Sequence, residues 1–283
     1  MQNNGNWLSR YQYNETSQWG EDGILEKIFN ILGVKQGWCA ELGAWDGKNL
    51  SNTYRLINSC HWSSVLLEGD RRRFAELLKT YQSNPQAYCV LQFVSFDFPH
   101  NLDTIFSKYP IPQDFDLLSI DVDGNDLHLW ESLRNYQPKI VVIEYNPTIP
   151  NHIHFQQPRD MKVNQGSSLS ALIALGKKKG YELIATTESN GIFVKESLYP
   201  LFNILDNRID LMRSKSETES TLFQLYDGTL VLEGYKRLYW CKTKIREKRL
   251  QVFPRFLRYH STANPFKKAL RFLWRLFYSR KIL

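Results

Sequence analysis

Acidic residues follow four short apolar runs of the sequence, and these acids are the first candidates for chemistry. The four runs end at Glu41, Glu68, Asp121 and Glu144. Such runs are typical of buried strands in a parallel sheet, whose ligands bind beyond the carboxyl ends of the strands. A purely structural sheet has no need of an acid at each of these ends. We therefore predict that the four acids share one functional edge.

The turn after Glu41 is a predicted ligand-binding turn. Its glycines, Gly43 and Gly47, are four residues apart, unlike the GxGxxG pattern that cradles a dinucleotide pyrophosphate. Gly43 permits close approach of the backbone to a ligand, and Gly47 permits a turn with positive φ. Ser51 or Asn52 would cap the following helix and leave backbone N–H groups for a carboxylate.

Three residues further along the predicted edge suit a nucleoside. Glu68 is placed to accept hydrogen bonds from a ribose diol. Asp97 follows the third predicted strand and could accept a hydrogen bond from an adenine amino group, while Phe96 would flank the ring.

A second group of oxygen ligands follows the fourth and fifth predicted strands. Asp121, Asp123, Glu144 and Asn146 are suited to Mg²⁺, which prefers such ligands. A metal there would lower the pKa of a substrate hydroxyl and orient it. The alternative is that Asp123 or Glu144 contacts the substrate, or acts as a base, without a metal.

Histidines are further candidates for removing a proton from a substrate hydroxyl. His152 and His154 lie in a loop flanked by prolines after the fifth predicted strand, and they are either bases or ordinary surface residues. His128 lies in a predicted helix beside Trp130 and is interpreted as structural.

The elements that would position these residues alternate between strand and helix, which is typical of a doubly wound α/β domain. Asn190-Gly191 is a tight-turn signal that predicts an antiparallel pair at one edge of the sheet. Residues 196–221 are polar and irregular and form a candidate lid. The predicted strands are 38–42, 63–68, 88–94, 115–121, 139–144, 181–187 and 192–194, and the predicted helices are 24–32, 52–57, 74–81, 127–134 and 168–180.

Charge is distributed unevenly along the 283 residues. Residues 236–283 hold 15 Lys/Arg and one acid, Glu247, so they carry +14, while the whole chain carries +7. The body before residue 236 is therefore acidic, with a net charge of −7, which argues against nucleic acid as its partner. We predict a Rossmann-like domain over residues 1–243, with its core at about 14–200, and a basic extension over 244–283.

The extension contains a predicted amphipathic helix that begins at Pro265. Basic residues (Lys267, Lys268, Arg271 and Arg275) cluster on one face, and apolar residues (Phe266, Leu270, Leu273 and Phe277) line the other. The helix over 265–283 either contacts an anionic membrane surface or packs on the acidic body. Nucleic acid is a third, less favoured partner, because no base-stacking module is recognisable.

Other sequence features limit the class of protein. No stretch approaches the roughly 18 apolar residues of a membrane-spanning helix, and the first residues lack the pattern of a signal peptide. The four cysteines form no CxxC pair, so neither a zinc site nor a disulfide framework is expected. We expect a cytoplasmic protein, with peripheral attachment to the inner membrane as an additional hypothesis.

Several motifs together resemble the FkbM-type family of class I S-adenosylmethionine-dependent methyltransferases. They are the acidic Glu68 and the segments 17–24 (SQWGEDGI), 41–47 (ELGAWDG), 95–97 (SFD), 120–124 (IDVDG) and 190–194 (NGIFV). The resemblance covers about residues 14–200. Many such proteins have Glu in place of Asp123, which keeps the carboxylate but withdraws it by one methylene.

The resemblance implies a seven-stranded Rossmann-like sheet with an antiparallel edge strand, and S-adenosylmethionine as cofactor. It implies that Glu41, Gly43 and Gly47 border the methionine moiety. The predicted cofactor-binding set is Gln18, Glu41, Gly43, Ala44, Gly47, Asn52, Glu68, Asp70, Ser95, Phe96, Asp97 and Asp121.

The resemblance implies an O-methyl acceptor, often a sugar or polyketide hydroxyl. Because the tail has membrane-binding character, we predict O-methylation of a sugar hydroxyl of a glycan or lipid-linked saccharide, with Asp121, Asp123, His152 and His154 as candidate catalytic residues. Two alternatives remain open: a nucleic-acid methyltransferase, or a non-catalytic cofactor-binding scaffold tethered by its basic tail. The sequence does not indicate an oligomeric state.

Overall fold

A computed structural model describes residues 5–214, 217–258 and 264–279, with side chains in the last range up to residue 276. These residues fall into two compact units, which divide between residues 216 and 217. The division lies earlier in the chain than the predicted boundary after residue 243. Residues 217–243 group with the second unit because their two strands pair with each other and not with the large sheet.

The first unit alternates strands and helices along the chain. Two 3₁₀-helices, Trp7–Tyr11 and Glu196–Phe202, accompany these elements. The strands are β1 (Trp38–Leu42), β2 (Ser63–Glu68), β3 (Ala87–Leu91), β4 (Leu117–Ile120), β5 (Ile140–Glu144), β6 (Tyr181–Thr186) and β7 (Asn190–Lys195); the helices are α1 (Glu21–Leu32), α2 (Tyr54–Ser59), α3 (Arg71–Tyr81), α4 (Leu102–Phe106), α5 (Asp126–Ser132), α6 (Leu169–Lys178) and α7 (Ile209–Met212).

The strands form one seven-stranded sheet in the order β3-β2-β1-β4-β5-β7-β6. Neighbouring strands are parallel from β3 to β5, and β7 runs antiparallel between β5 and the outermost strand β6. The order reverses between β1 and β4, which is where an open α/β sheet presents its ligand-binding crevice. The predicted fold class is confirmed.

Apolar side chains cover both faces of this sheet. One core cluster contains Ile24, Leu25 and Ile28 of α1 together with Cys39 of β1 and Leu66 of β2. The other lies on the opposite face and contains residues of α4, α5 and α6. Because both faces are buried, β1, β2, β4 and β5 are apolar along most of their length, and their terminal acids are the exceptions.

Some predicted elements differ from the observed ones. Asn190 and Gly191 begin β7 instead of forming the turn, which Thr187 closes by donating from its N–H to the Asn190 carbonyl at 2.9 Å. Gly191 packs closely, since a Cβ there would lie 2.9 Å from the Phe193 ring. The short α4 was missed, and the segment after residue 196 contains a 3₁₀-helix and α7 rather than only irregular chain.

The second unit consists of a hairpin and short helices. It comprises β8 (Ser220–Gln224), β9 (Leu230–Gly234), α8 (Glu247–Leu250), a 3₁₀-helix (Arg255–Leu257) and α9 (Pro265–Ser279). Helix α9 begins where expected, and the Asn264 side chain accepts from the Lys267 N–H at 2.9 Å. The Phe277 side chain and residues 280–283, which belong to the predicted amphipathic helix, lie outside the described part of the chain.

Gly43 provides a test of how tightly the strand ends approach one another. A Cβ on Gly43 would lie 2.0 Å from the Asp121 carbonyl oxygen, and φ is +73°. Gly33 has a similar φ of +69° but has nothing within 4 Å of a built Cβ. We expect Gly43→Ala to lower the free energy of unfolding by about 3 kcal/mol or more, and the control Gly33→Ala by about 1–2 kcal/mol. Denaturant unfolding measures both, and equal losses would contradict the close approach.

Candidate active site

The four strand-end acids lie on one face of the sheet because side chains alternate along a strand. Cys39, Leu66, Leu117 and Val142 belong to the core cluster on the α1 face. Each acid follows one of these residues by two positions or, on β4, by four, so all four side chains point to that same face. The alternation brings them together at the carboxyl edge, as the sequence analysis predicts.

Glu41 is buried and holds the segment that follows the first turn. Its carboxylate accepts hydrogen bonds from the Ser51 hydroxyl at 2.7 Å, the Thr53 hydroxyl at 2.8 Å and the Asn52 N–H at 2.8 Å. Burial raises the pKa of Glu41 to about 7, a shift that these three bonds oppose and the charge of Asp121 increases. The Asn52 N–H, predicted to be free for a ligand, is therefore occupied by Glu41.

The backbone of the first turn is also largely engaged by the protein. The N–H groups of Gly43 and Ala44 both donate to the Leu67 carbonyl at 3.0 Å. Gly47 has φ +75°, and its carbonyl accepts from the Tyr81 hydroxyl at 2.9 Å. These glycines therefore serve close packing of the chain, and a cofactor would meet the outer side of the turn.

Glu68 is fixed at the end of β2 by two backbone donors. Its carboxylate oxygens accept from the Trp45 N–H at 2.9 Å and the Asp70 N–H at 2.7 Å. Each oxygen keeps a second lone pair, so the group retains the capacity to accept from a diol. Asp70 itself caps α3 by accepting from the N–H groups of Arg72 and Arg73, which lowers the pKa of Asp70.

The predicted adenine contacts are arranged differently from expectation. The Phe96 ring is buried, with the His128 ring edge-on at 5.8 Å and the Arg159 guanidinium 4.9 Å from its centroid. Asp97 is exposed and faces Arg159 at 3.8 Å, while the Ser95 hydroxyl bonds the Asp97 carbonyl. Phe93, which the sequence analysis missed, is 63% exposed and packs against Gly69 beside Glu68. Its ring is the more accessible stacking surface.

Asp121, Asp123 and Glu144 form a cluster of carboxylates. One oxygen from each lies within 4.8 Å of the others. Glu144 and Asp121 share a hydrogen bond, and the pKa of each is raised, first by loss of water around the group and then by neighbouring carboxylates. Asp121 still reaches solvent on its open side. Crowded carboxylates of this kind hold a proton or a cation.

A buried acid fixes the loop that carries this cluster. Asp126 accepts from the N–H groups of Val122 and Gly124, each at 2.9 Å. The loop is strained, since Asp123 has φ +57°. Asp126 thus holds Asp123 in a conformation that a non-glycine residue rarely adopts.

A buried amide fastens the chain after β5 to the same loop. Gln157 donates to Asn125 Oδ1 at 2.8 Å and accepts from the N–H groups of Gln165 and Gly166, each at 2.9 Å. The backbone carbonyl of Gln157 forms a hydrogen bond with the Nε2 atom of His128 at 2.8 Å. This contact gives His128 a structural role. Gln157 lies in a Pro-rich loop without periodicity, so no sequence signal marked it.

The motif at residues 17–24 contributes two buried acids to the rim. Asp22 accepts from the N–H groups of Glu15, Thr16 and Ser17, each at 2.8 Å, and orders the loop that carries the exposed Gln18. Glu21 accepts from the Thr187 hydroxyl at 2.6 Å and the Asn190 amide at 2.9 Å. The motif is thereby tied to the turn before β7.

The other residues predicted to lie near the substrate differ in their exposure and in their hydrogen bonds. Asn146 Oδ1 accepts twice from Thr148, so this predicted metal ligand is used locally. His152 and His154 are exposed in the loop after β5. In contrast, Asn190 lies opposite Glu144 in the sheet register, and its buried Oδ1 has no hydrogen-bond partner. The sequence analysis used Asn190 only as a turn signal.

Part of the chain is similar to a known protein family. Residues 99–183 match the family model described as the methyltransferase FkbM domain, which confirms the resemblance. The matched range contains Asp121, Asp123 and Glu144 but neither the first turn nor Glu68. The match supports the class of S-adenosylmethionine-dependent methyltransferases. No curated protein matches the chain.

Solved structures similar to this chain include some that are described as methyltransferases. TrmK from M. capricolum, in complex with S-adenosyl-homocysteine, is 12% identical over 59% of this chain and 66% of that chain, with a TM-score of 0.37. A putative sarcosine dimethylglycine methyltransferase from Galdieria sulphuraria is 15% identical over 58% and 62%, with a TM-score of 0.39. The chain thus spans less than two thirds of the length of either structure.

The raised pKa of Glu41 predicts a dependence of stability on pH. Folding favours the protonated form of Glu41, so its contribution to stability is full below the ordinary pKa of 4.5 and is lost as pH rises through about 7. We expect Glu41→Gln to remove about 3 kcal/mol of the decline in unfolding free energy between pH 5 and pH 8. The Ser51 and Thr53 hydroxyls can rotate to accept from the new amide. The exposed Glu76→Gln is the control, and identical pH profiles for both variants would contradict the expectation.

Proposed function

We propose that this chain is an S-adenosylmethionine-dependent O-methyltransferase that acts on a sugar hydroxyl of a glycan or lipid-linked saccharide. The observation that carries the proposal is the cluster of Asp121, Asp123 and Glu144 beside the Glu41 and Glu68 edge. A neutral hydroxyl must lose its proton to become a nucleophile, and carboxylates at the acceptor side can take it. An uncharged acceptor also enters an acidic site without electrostatic repulsion.

The residues at the nucleoside side fit the proposed cofactor. Glu68 is rigidly held and keeps acceptor capacity, and the exposed Phe93 ring lies next to it. S-adenosylmethionine, when bound, supplies an electrophilic methyl group on its sulfonium sulfur. The chain would orient it through hydrogen bonds that the Glu68 carboxylate accepts from the ribose hydroxyls, and through the outer side of the first turn at the methionine moiety.

The carboxylate cluster fits a divalent cation such as Mg²⁺. Its three carboxylates are hard oxygen donors, and the unpartnered Asn190 Oδ1 lies beside Glu144 in the register. Asp121, Asp123 and Glu144 would hold the cation, which would lower the pKa of the acceptor hydroxyl. Without a cation, Asp123 is our candidate for accepting the hydroxyl proton, and His152 and His154 in the loop after β5 are further candidates.

Two alternatives fit the site less well. A nucleic-acid methyltransferase would have to bring phosphates to a rim of carboxylates, on a body whose residues 1–235 carry −7. A scaffold that binds the cofactor without turnover would not need Asp123 to be held in a strained conformation by Asp126.

Cofactor binding is the first test of the proposal. Calorimetric titration of the full chain with S-adenosyl-homocysteine should give binding in the micromolar range. Glu68→Ala should weaken it by about tenfold or more, because hydrogen bonds to a charged group are lost. Glu76→Ala on α3 is the control. No binding to folded protein would overturn the methyltransferase assignment.

Turnover separates an enzyme from a scaffold. We expect release of S-adenosyl-homocysteine when a panel of saccharides is offered, and none with RNA or DNA. Asp123→Asn should lower the rate by roughly 10²–10⁴-fold while leaving affinity for S-adenosyl-homocysteine unchanged. Equal rates for wild type and variant would exclude Asp123 as the base.

Metal binding can be measured separately, by its effect on the melting temperature. Mg²⁺ should raise the melting temperature of the wild type, because it relieves repulsion among Asp121, Asp123 and Glu144. Asp123→Asn should raise the melting temperature without metal and abolish the further rise with it. Asp97→Asn is the control and should respond to Mg²⁺ like the wild type. An unchanged metal response in Asp123→Asn would contradict the site.

A further inference from the structure

The second unit has an unusual distribution of apolar side chains. Among its described residues, the only buried hydrophobic ones are Leu232 and Leu257. Thirteen large hydrophobic side chains are exposed in the same part of the chain: Leu222, Phe223, Leu225, Tyr226, Leu238, Trp240, Val252, Phe256, Phe266, Phe272, Leu273, Trp274 and Leu276. An exposed apolar surface on this scale marks an interaction site.

Polar contacts account for much of the internal structure of this unit. The Gln251 side chain bonds the Leu230 backbone at 2.7 and 3.0 Å. Trp274 Nε1 donates to the Val252 carbonyl at 2.9 Å, and Arg271 Nε donates to the Leu257 carbonyl at 2.6 Å. Polar contacts thus hold helix α9, while its Phe266, Leu273 and Leu276 side chains are left exposed.

Helix α9 separates its charges from its apolar residues. Phe266 and Leu273 lie within 20° of each other on the helical wheel at 100° per residue, and their side chains are 69% and 50% exposed. Lys268, Arg271 and Arg275 lie on the other side and line a cleft of about 560 Å³ together with apolar residues such as Leu230 and Val252. The second unit therefore presents an apolar surface and a cationic surface on different sides of the same helix.

We propose that the second unit is a docking surface for an anionic lipid bilayer. The unit supplies both forces that hold a peripheral helix in the membrane interface: burial of an apolar face and attraction of Lys and Arg to anionic headgroups. Trp240 and Trp274 add amphipathic rings, which prefer that interface. The 15 residues of α9 are too short to span the apolar core, which needs about 20, so the helix lies in the plane of the surface.

Charge alone would equally attract a nucleic acid, but the apolar residues favour lipid. Leu222, Leu273 and Leu276 offer no stacking surface and no hydrogen bond to a base or phosphate. Their exposure is accounted for by acyl chains, which accept aliphatic groups without any geometric requirement. The proposal does not depend on methyl transfer, because it uses only residues of the second unit.

Vesicle co-sedimentation of the full chain tests the docking surface. We expect binding to vesicles of phosphatidylcholine mixed with phosphatidylglycerol, weaker binding to phosphatidylcholine alone, and weaker binding as salt is raised. The double variant Phe266→Ser/Leu273→Ser should lose binding by roughly tenfold or more. The matched control Leu201→Ser/Leu205→Ser, which changes two exposed leucines of the first unit, should bind like the wild type.

A second variant tests the attraction of basic residues to anionic headgroups, independently of the apolar substitutions. Lys267→Glu/Lys268→Glu should weaken binding to anionic vesicles by about tenfold or more, while the exposed pair Lys35→Glu/Lys108→Glu should change it little. An unaltered circular dichroism spectrum and melting temperature would show that each variant is folded. Binding to RNA in preference to vesicles would overturn the proposal. So would dimerisation that the Phe266→Ser/Leu273→Ser variant abolishes, or equal binding to neutral and anionic vesicles.

Discussion

The first unit is organised by carboxylates that accept hydrogen bonds from the backbone or hydroxyls of nearby segments. Asp22 fixes residues 15–17, Glu41 fixes residues 51–53, and Asp126 fixes residues 122–124. Glu68 and Glu21 do the same for the first turn and for the turn before β7. Burying so many acids is costly unless each is hydrogen-bonded. That requirement selects one conformation of the rim and places every loop at a fixed position around the crevice.

The rim therefore contains two kinds of acid. Those that accept several backbone or hydroxyl bonds, such as Asp22 and Glu41, have little capacity left for a ligand. Asp121, Asp123 and Glu144 are instead crowded against one another; loss of water around the groups, and then this crowding, raises the pKa of Asp121 and of Glu144. The fold does not offset the repulsion among these three carboxylates. A proton, a cation or a substrate hydroxyl that binds there would relieve it. The rim acids therefore divide into those that hold the chain in place and those that remain available to a ligand.

The sequence predicts the sheet well because its strands are apolar runs with acids at their ends, and β1 and β2 agree residue for residue. The convergence of Glu41, Glu68, Asp121 and Glu144 follows from alternation alone. Contacts between distant segments have no such local signal. Gln157 bonds Asn125 and Gly166, which are 32 and 9 positions away from it, and Asn190 becomes a site residue only because β7 is placed beside β5. The Phe96 environment depends likewise on Arg159, which is far away in the sequence.

The bonds from Glu21 to Thr187 and Asn190 connect residues 166 and 169 positions apart. During synthesis the carboxylate of Glu21 leaves the ribosome long before its partners exist. Until β7 has paired with β5, the motif at residues 17–24 cannot satisfy that buried charge, and closing so long a loop is entropically slow. The start of the chain is therefore among the last parts of the crevice to be completed. A nascent chain that ends before residue 190 would lack β7 as well as Asn190, so both its sheet and its site would be incomplete.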